Sequence, residues 1–224
     1  MKELSEMIGI LEGKLVVMFD KDKTGHDFDH LQRTMRNALA IQKLEGGNLK
    51  VIAISALLHD MHRIMTHCQR NFVSPKDSLL KIREMLFDLD LTETEKDHIC
   101  HAIEHHEEYS FSGGNVTVTD IESLILQDAD NLDATGAIGL TRTIAFSLSH
   151  GIPVYISEIP LEQYEFTEGD KLDPSVIHHC VNKLVRLEKT MNTKTGKKLC
   201  KARCDFIRTF IKQFKQEWES TYIL

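Results

Sequence analysis

Apolar positions recur at helical spacing along most of the chain, and no convincing sheet signal interrupts them. Met1 to about Phe19 predicts a short helix with Leu11, Leu15 and Met18 inward, and the polar stretch 20–27 (DKDKTGHD) reads as a loop. From Phe28, the positions Leu31, Thr34, Met35, Ala38 and Ile41 trace one face of a second helix, which Gly46-Gly47 ends. Residues 51–58 (VIAISALL) are apolar on every face, the mark of a helix at the centre of a bundle. That central helix terminates in His59-Asp60, so two polar, metal-competent side chains stand at the end of the most buried element.

Further on, Pro75 predicts a helix to Asp88, and Thr92 with Glu95 has the form of a capping box for another reaching Glu108. Residues 109–118 form a loop around a glycine pair. Helices are then predicted over 120–135 and from Gly136 to about Gly151. Pro153, Pro160 and Gly169 make 152–172 irregular, Asp173-Pro174 opens a helix to Met191, and a final helix covers 195–218. Eight or nine helices result. We therefore expect an all-α bundle in one domain over 1–224, with a motif-bearing core at about 20–150 and the helices of 173–218 packed on it.

Composition refines this picture in three ways. A formal net charge of −7 disfavours nucleic acid or an anionic membrane as the main partner, because both reward clustered Lys and Arg. Five cysteines without a CxxC pair signal neither a disulfide framework nor a zinc–thiolate site. No signal-peptide pattern or long apolar run appears, so a cytoplasmic protein is expected. The 12 histidines are unusually many, and their placement needs a reason.

Candidate chemistry gathers at His30, at His59-Asp60 and in the acidic run 128–133 (DADNLD). Imidazoles with carboxylates suit a divalent ion such as Mn²⁺, Fe²⁺, Co²⁺, Ni²⁺ or Zn²⁺, and nearly neutralise it while leaving positions open for water and substrate. A structural His-Asp pair capping a helix end is the plainer reading of the dipeptide alone. The acidic run sits among Leu124, Ile125, Leu126 and Ala134, where three free carboxylates would be poorly placed. Asp130 and Asp133 share one helix face at i,i+3, while Asp128 points elsewhere.

HDFDHLQRT (26–34), ALLHDM (56–61) and QDADNLDATGAIGLTRT (127–143) resemble, in order, the motifs of the HD superfamily of metal-dependent phosphohydrolases. The likeness is to its small bacterial branch that includes nucleotide pyrophosphohydrolases. It implies an all-α, HD-domain-like bundle with a buried metal site, and names His30, His59, Asp60 and Asp130 as ligands, with Asp128 the alternative to Asp130 if the register is otherwise. The cofactor expected is a divalent ion (Mn, Mg, Fe, Co, Ni or Zn) at one site. A second ion is left open by His101, His105 and His106, because related phosphodiesterases use histidines in that interval. Arg63 stands where relatives often carry an acidic residue or His, which puts an acid–base role there in doubt.

The implied activity is hydrolysis of a phosphoester or phosphoanhydride, the substrate being a small phosphorylated molecule, expected to be a nucleotide. Asp133 and His105 are the candidate proton carriers, and Arg33 the residue offsetting developing charge. His26, Asp27, Arg33 and Arg142 are the candidate substrate contacts, with N-cap duty the alternative for Asp27 and its neighbour. His62, three residues after His59, is a further side chain able to face the cavity. A catalytically silent metal and nucleotide sensor is the rival reading, and a homodimer through the C-terminal helices the rival to their use as core.

Overall fold

The protein is described here by a computed structural model covering residues 3–19, 25–108, 118–161 and 172–220. Among the described residues ten α-helices follow one another: α1 (Leu4–Phe19), α2 (Phe28–Glu45), α3 (Leu49–Leu58), α4 (Met61–Gln69), α5 (Leu79–Leu86), α6 (Glu93–Glu104), α7 (Ile121–Asp133), α8 (Gly136–Ser149), α9 (Val176–Asn182) and α10 (Lys194–Trp218). Among the described residues there is no strand, so the all-α fold expected from periodicity is the one observed. No described helix is long and apolar enough to cross a membrane. The segments 20–24, 109–117 and 162–171, which carry three of the predicted loops or irregular stretches, lie outside the described residues.

The core is built around α3. Asn48 caps it by accepting from the Lys50 and Val51 amides, and every residue from Val51 to Leu58 is buried. Around it pack α2, α6 and α7, with α1 closing a further side through Met7, Leu11, Leu15 and Phe19. A fully apolar helix is stable only where neighbours cover all its faces, and these four supply that cover. The Thr92–Glu95 capping box is present at the start of α6.

Four boundaries differ from the sequence reading. The chain does not stop being helical at Asp60: α4 starts at Met61, and Asp60 itself breaks the path with φ −87° and ψ 13°. His59 and Asp60 therefore sit at a joint between two helices rather than in one helix. Second, α6 ends at Glu104 rather than Glu108, His105 being its C-cap at φ −106° and ψ 6°. Third, the helix expected over 173–191 divides into α9 and a 3-10 segment, Leu184–Lys189, with Lys183 between them. Val176, Ile177, His178, His179 and Asn182 are weak helix formers, so little local propensity opposes that division. The helix expected from Pro75 likewise begins as a 3-10 turn, Lys76–Ser78.

Asp128 fixes α7 against the entry to α10. Its buried carboxylate accepts from the amides of Asn192 (2.7 Å) and Thr193 (2.8 Å) and from the Thr193 hydroxyl (2.7 Å). Gly196 passes so close that a Cβ there would collide with Asp128 Oδ2. This structural task turns Asp128 away from the other face of α7, the face that carries Asp130 and Asp133.

Candidate metal centre

Each predicted ligand is placed by a local device. Asp27 caps α2, its Oδ1 accepting the His30 amide at 2.8 Å, and this sets His30 in the first turn with its ring inward. The joint between α3 and α4 presents His59 and Asp60 together. Asp130 comes from the middle of α7. The result is convergence: His30 Nε2 lies 3.3 Å from Asp60 Oδ2 and 3.4 Å from Asp130 Oδ1, and His59 Nε2 lies 3.6 Å from each of the same two oxygens. The two Nε2 atoms are 3.3 Å apart. Both rings and Asp60 are buried, whereas the Asp130 side chain keeps 19% of its exposure.

The hydrogen bonds on the far sides of the rings decide what this cluster can hold. His59 Nδ1 donates to the Ala56 carbonyl at 2.9 Å, and His30 Nδ1 donates to Asp133 Oδ2 at 2.8 Å. With Nδ1 carrying the hydrogen on each ring, both Nε2 atoms of the neutral imidazoles present lone pairs, and they present them to each other and to two carboxylates. Four electron-rich atoms facing one point are stable only around a cation. The donor set, two imidazole nitrogens and two carboxylates, fits a divalent transition ion. Without one, a proton takes the same place. Burial opposes charge on His30, yet the carboxylates of Asp130, Asp133 and Asp60 hold its pKa well above the ordinary value, and burial of Asp60 and Asp130 is likewise outweighed by the neighbouring histidines, which hold both well below theirs.

Around these four stands a charged collar. Asp133 accepts from His30 and is gripped by Arg33, Nε to Oδ1 at 2.8 Å and Nη2 to Oδ2 at 3.0 Å, and by Arg142 Nη1 at 2.7 Å. Although burial acts against ionisation, these donors bring Asp133 down to about 2. On the other side, His26 Nδ1 donates to Asp60 Oδ2 at 2.7 Å, and Arg63 Nε donates to Asp60 Oδ1 at 2.7 Å. Burial lowers the His26 pKa, so the ring is neutral at physiological pH. Arg63 also donates to Glu107 Oε1 at 2.5 Å. The departure at position 63 thus places a cation, not an acid, against the Asp60 carboxylate.

The histidines of 101–106 divide differently from the sequence expectation. His105, a candidate proton carrier, is not at the centre: its Nδ1 is engaged by Glu108 Oε1 at 2.7 Å. His101 pairs with Asp120 Oδ2 at 3.2 Å on the outside of α6. His106 is the one that turns inward. Because α6 ends two residues earlier, its Nδ1 donates to the Ile103 carbonyl at 2.7 Å, its ring centroid lies 5.2 Å from that of His59, and its buried Nε2 has no partner among the described residues. Burial and His59 push it down to about 4. His62, His106 and Glu107 bring three further donor atoms within 4.8 Å of one another. Glu107 carried no signal in the sequence, since it follows two histidines in a run that reads as a solvated helix end.

A cavity of about 680 Å³ opens beside the centre. Asp130, His26, His62, Arg63, Glu107 and Arg142 form its polar end. Phe72, Phe146, Ile152, Leu172, Leu184 and Leu187 supply apolar wall, and Lys183 and His179 come in from the C-terminal region. Of the four candidate substrate contacts, His26 and Arg142 line this space, whereas Asp27 and Arg33 do not. Asp27 is occupied as the α2 cap and Arg33 as the clamp on Asp133.

Fold and site together define an all-helical protein with a candidate divalent-metal centre in the heart of its bundle. Residues 27–135 match the family model of the HD domain, which spans all four converging side chains. The chain thus carries an HD domain over residues 27–135. It is similar over nearly its full length to an HD-superfamily hydrolase of Bacillus thuringiensis of known structure, with 29% identity, a TM-score of 0.75, and 97% of this chain and 99% of the other covered. Against the protein YpgQ of Bacillus subtilis the identity is 27% over 220 residues, covering 97% of this chain and 96% of YpgQ. The structure of YpgQ in complex with ADP superposes with a TM-score of 0.70, at 25% identity and 96% and 97% coverage.

Proposed function

We propose that this chain is a metal-dependent phosphohydrolase that cleaves a phosphoester or phosphoanhydride bond of a nucleotide. One observation carries the reading: two imidazole lone pairs face each other between two carboxylates, and the half-open one of these, Asp130, borders a cavity of nucleotide size. His30, His59, Asp60 and Asp130 would hold the ion. A divalent ion there supplies an acidified water and a polarised phosphoryl oxygen at neutral pH.

The chain's own side chains do the rest. Asp133 is a positioning residue in this reading: ionised throughout the neutral range and already accepting from three side chains, it keeps the His30 Nδ1–H in place instead of moving a proton. His26, neutral and on the cavity wall beside Asp60, takes the proton-carrying role once expected of Asp133 or His105. Arg142 offers its guanidinium edge to the phosphate as negative charge develops. The polar end suits phosphate and the apolar wall suits a base, which agrees with the ADP seen in YpgQ. Should the centre take a second ion, His62, His106 and Glu107 are its ligands.

Metal analysis of the purified protein, followed by a nucleotide panel with Mn²⁺ scored for released phosphate and pyrophosphate, tests the reading. Turnover that disappears with the metal in His59→Ala supports it. Nucleotide binding without turnover identifies the silent sensor instead, and turnover undiminished in metal-free His59→Ala refutes the site.

A further inference from the structure

The cavity has a third cation besides Arg63 and Arg142, and it differs from them. Arg63 is ion-paired with Asp60 and Glu107, and Arg142 with Asp133. Lys183 is half-buried on the same wall, yet among the described residues its ammonium has no hydrogen-bond or ion-pair partner. Other lysines of similar burial are satisfied: Lys50 Nζ reaches the Asp90 carbonyl at 3.3 Å, and Lys96 reaches Glu93 at 2.9 Å. The acidic groups that Lys183 feels across the cavity are all engaged elsewhere. Asp130 faces His30 and His59, Glu107 is held by Arg63, and Asp173 accepts from His179 and Asn182.

Its backbone is fixed as well. Lys183 caps α9, its amide donating to the His179 carbonyl at 2.9 Å, at the break before the 3-10 segment. An unpaired ammonium removed from much of its water is unfavourable unless an anion joins it. In a chain of net charge −7, a cavity wall that keeps such a group is organised for an anionic ligand. Burial depresses the Lys183 pKa, which an incoming phosphate would reverse.

We infer that Lys183 binds a non-bridging phosphate oxygen of the substrate, so that the C-terminal region, outside the HD-domain match at 27–135, supplies part of the recognition of a di- or triphosphate chain. This rests on the phosphohydrolase reading above and adds to it a residue that no motif named.

The test uses the full-length, Mn²⁺-loaded protein. Acetic anhydride labelling read by mass spectrometry should find Lys183 protected by ADP and by inorganic pyrophosphate, and not by adenosine. By calorimetry, Lys183→Gln should weaken ADP and pyrophosphate binding by about 10- to 100-fold, while Lys183→Arg keeps most of the affinity. Neither variant should lower the melting temperature without ligand. Equal labelling of Lys183 with and without pyrophosphate overturns the inference, as does unchanged affinity in Lys183→Gln. A melting temperature lowered by Lys183→Gln with affinity unchanged would show a structural lysine and also overturn it. If the wild type binds pyrophosphate but no nucleotide, the nucleotide reading falls while protection of Lys183 still decides this one.

Discussion

Asp133→Asn changes one atom in the collar around the centre, and its consequences follow from four short contacts. The Asp133 carboxylate accepts from His30 Nδ1, twice from Arg33 and once from Arg142. An amide has one acceptor oxygen and must turn its NH₂ toward at least one of those donors. The drop of the Asp133 pKa from 3.8 to about 2 corresponds to about 2.5 kcal/mol favouring the ionised form in the folded protein. The side chain is only 2% exposed, so solvent does little to screen it. For a chain of this size that loss lowers the melting temperature by about 5–10 °C. Because the depressed pKa contributes stability above 3.8 and loses it as pH falls towards 2, the gap between wild type and variant should be full at pH 7 and shrink below pH 4. Loosening His30 should also weaken Mn²⁺ binding by about 10- to 100-fold. Differential scanning calorimetry across pH and metal titration by calorimetry read the two effects. A variant that melts with wild type at pH 7 and binds Mn²⁺ equally well would refute the positioning role.

Three further outcomes follow. Asp128→Ala should cost about 3 kcal/mol, by stranding the amides of Asn192 and Thr193, while leaving metal stoichiometry unchanged; loss of the metal would mean that Asp128 rather than Asp130 is the ligand. His105→Ala should leave metal affinity and turnover within about 2-fold, since that ring pairs with Glu108 away from the centre; a drop of the size seen on losing a positioned proton carrier, about 100-fold or more, would restore its catalytic role. In the metal-free protein, the raised His30 and His59 stabilise below the ordinary histidine value of 6.5 and lose that contribution at higher pH. The lowered Asp60 and Asp130 stabilise above 3.8. Metal-free stability should therefore peak between those values and decline on the alkaline side, a decline that Mn²⁺ abolishes because it replaces the proton; thermal melts with and without chelator decide this.

The helical fold was legible because the apolar positions keep one period over most of the chain, and the all-apolar segment 51–58 could only be the centre. The convergence of His30, His59, Asp60 and Asp130 was legible through three ordered motifs, not through spacing alone. What the sequence hid lies where periodicity breaks. The joint at Asp60 and the early end of α6 are set by tertiary packing, and the second of these decides that His106, not His105, turns inward. Arg33 read as a phosphate contact because its charge is visible in sequence while its commitment to Asp133, a hundred residues on, is not. Glu107 and Lys183 sit on the cavity wall without any local pattern to mark them, since their relation to the centre is purely three-dimensional.

Anomalous diffraction from Mn²⁺-soaked crystals tests the core of this account most directly. A peak ligated by the Nε2 atoms of His30 and His59 and by carboxylate oxygens of Asp60 and Asp130 is the predicted result. A peak only elsewhere, for instance at the His98, Asp120 and Glu122 cluster, or no peak with His30 and His59 still face to face, would contradict it.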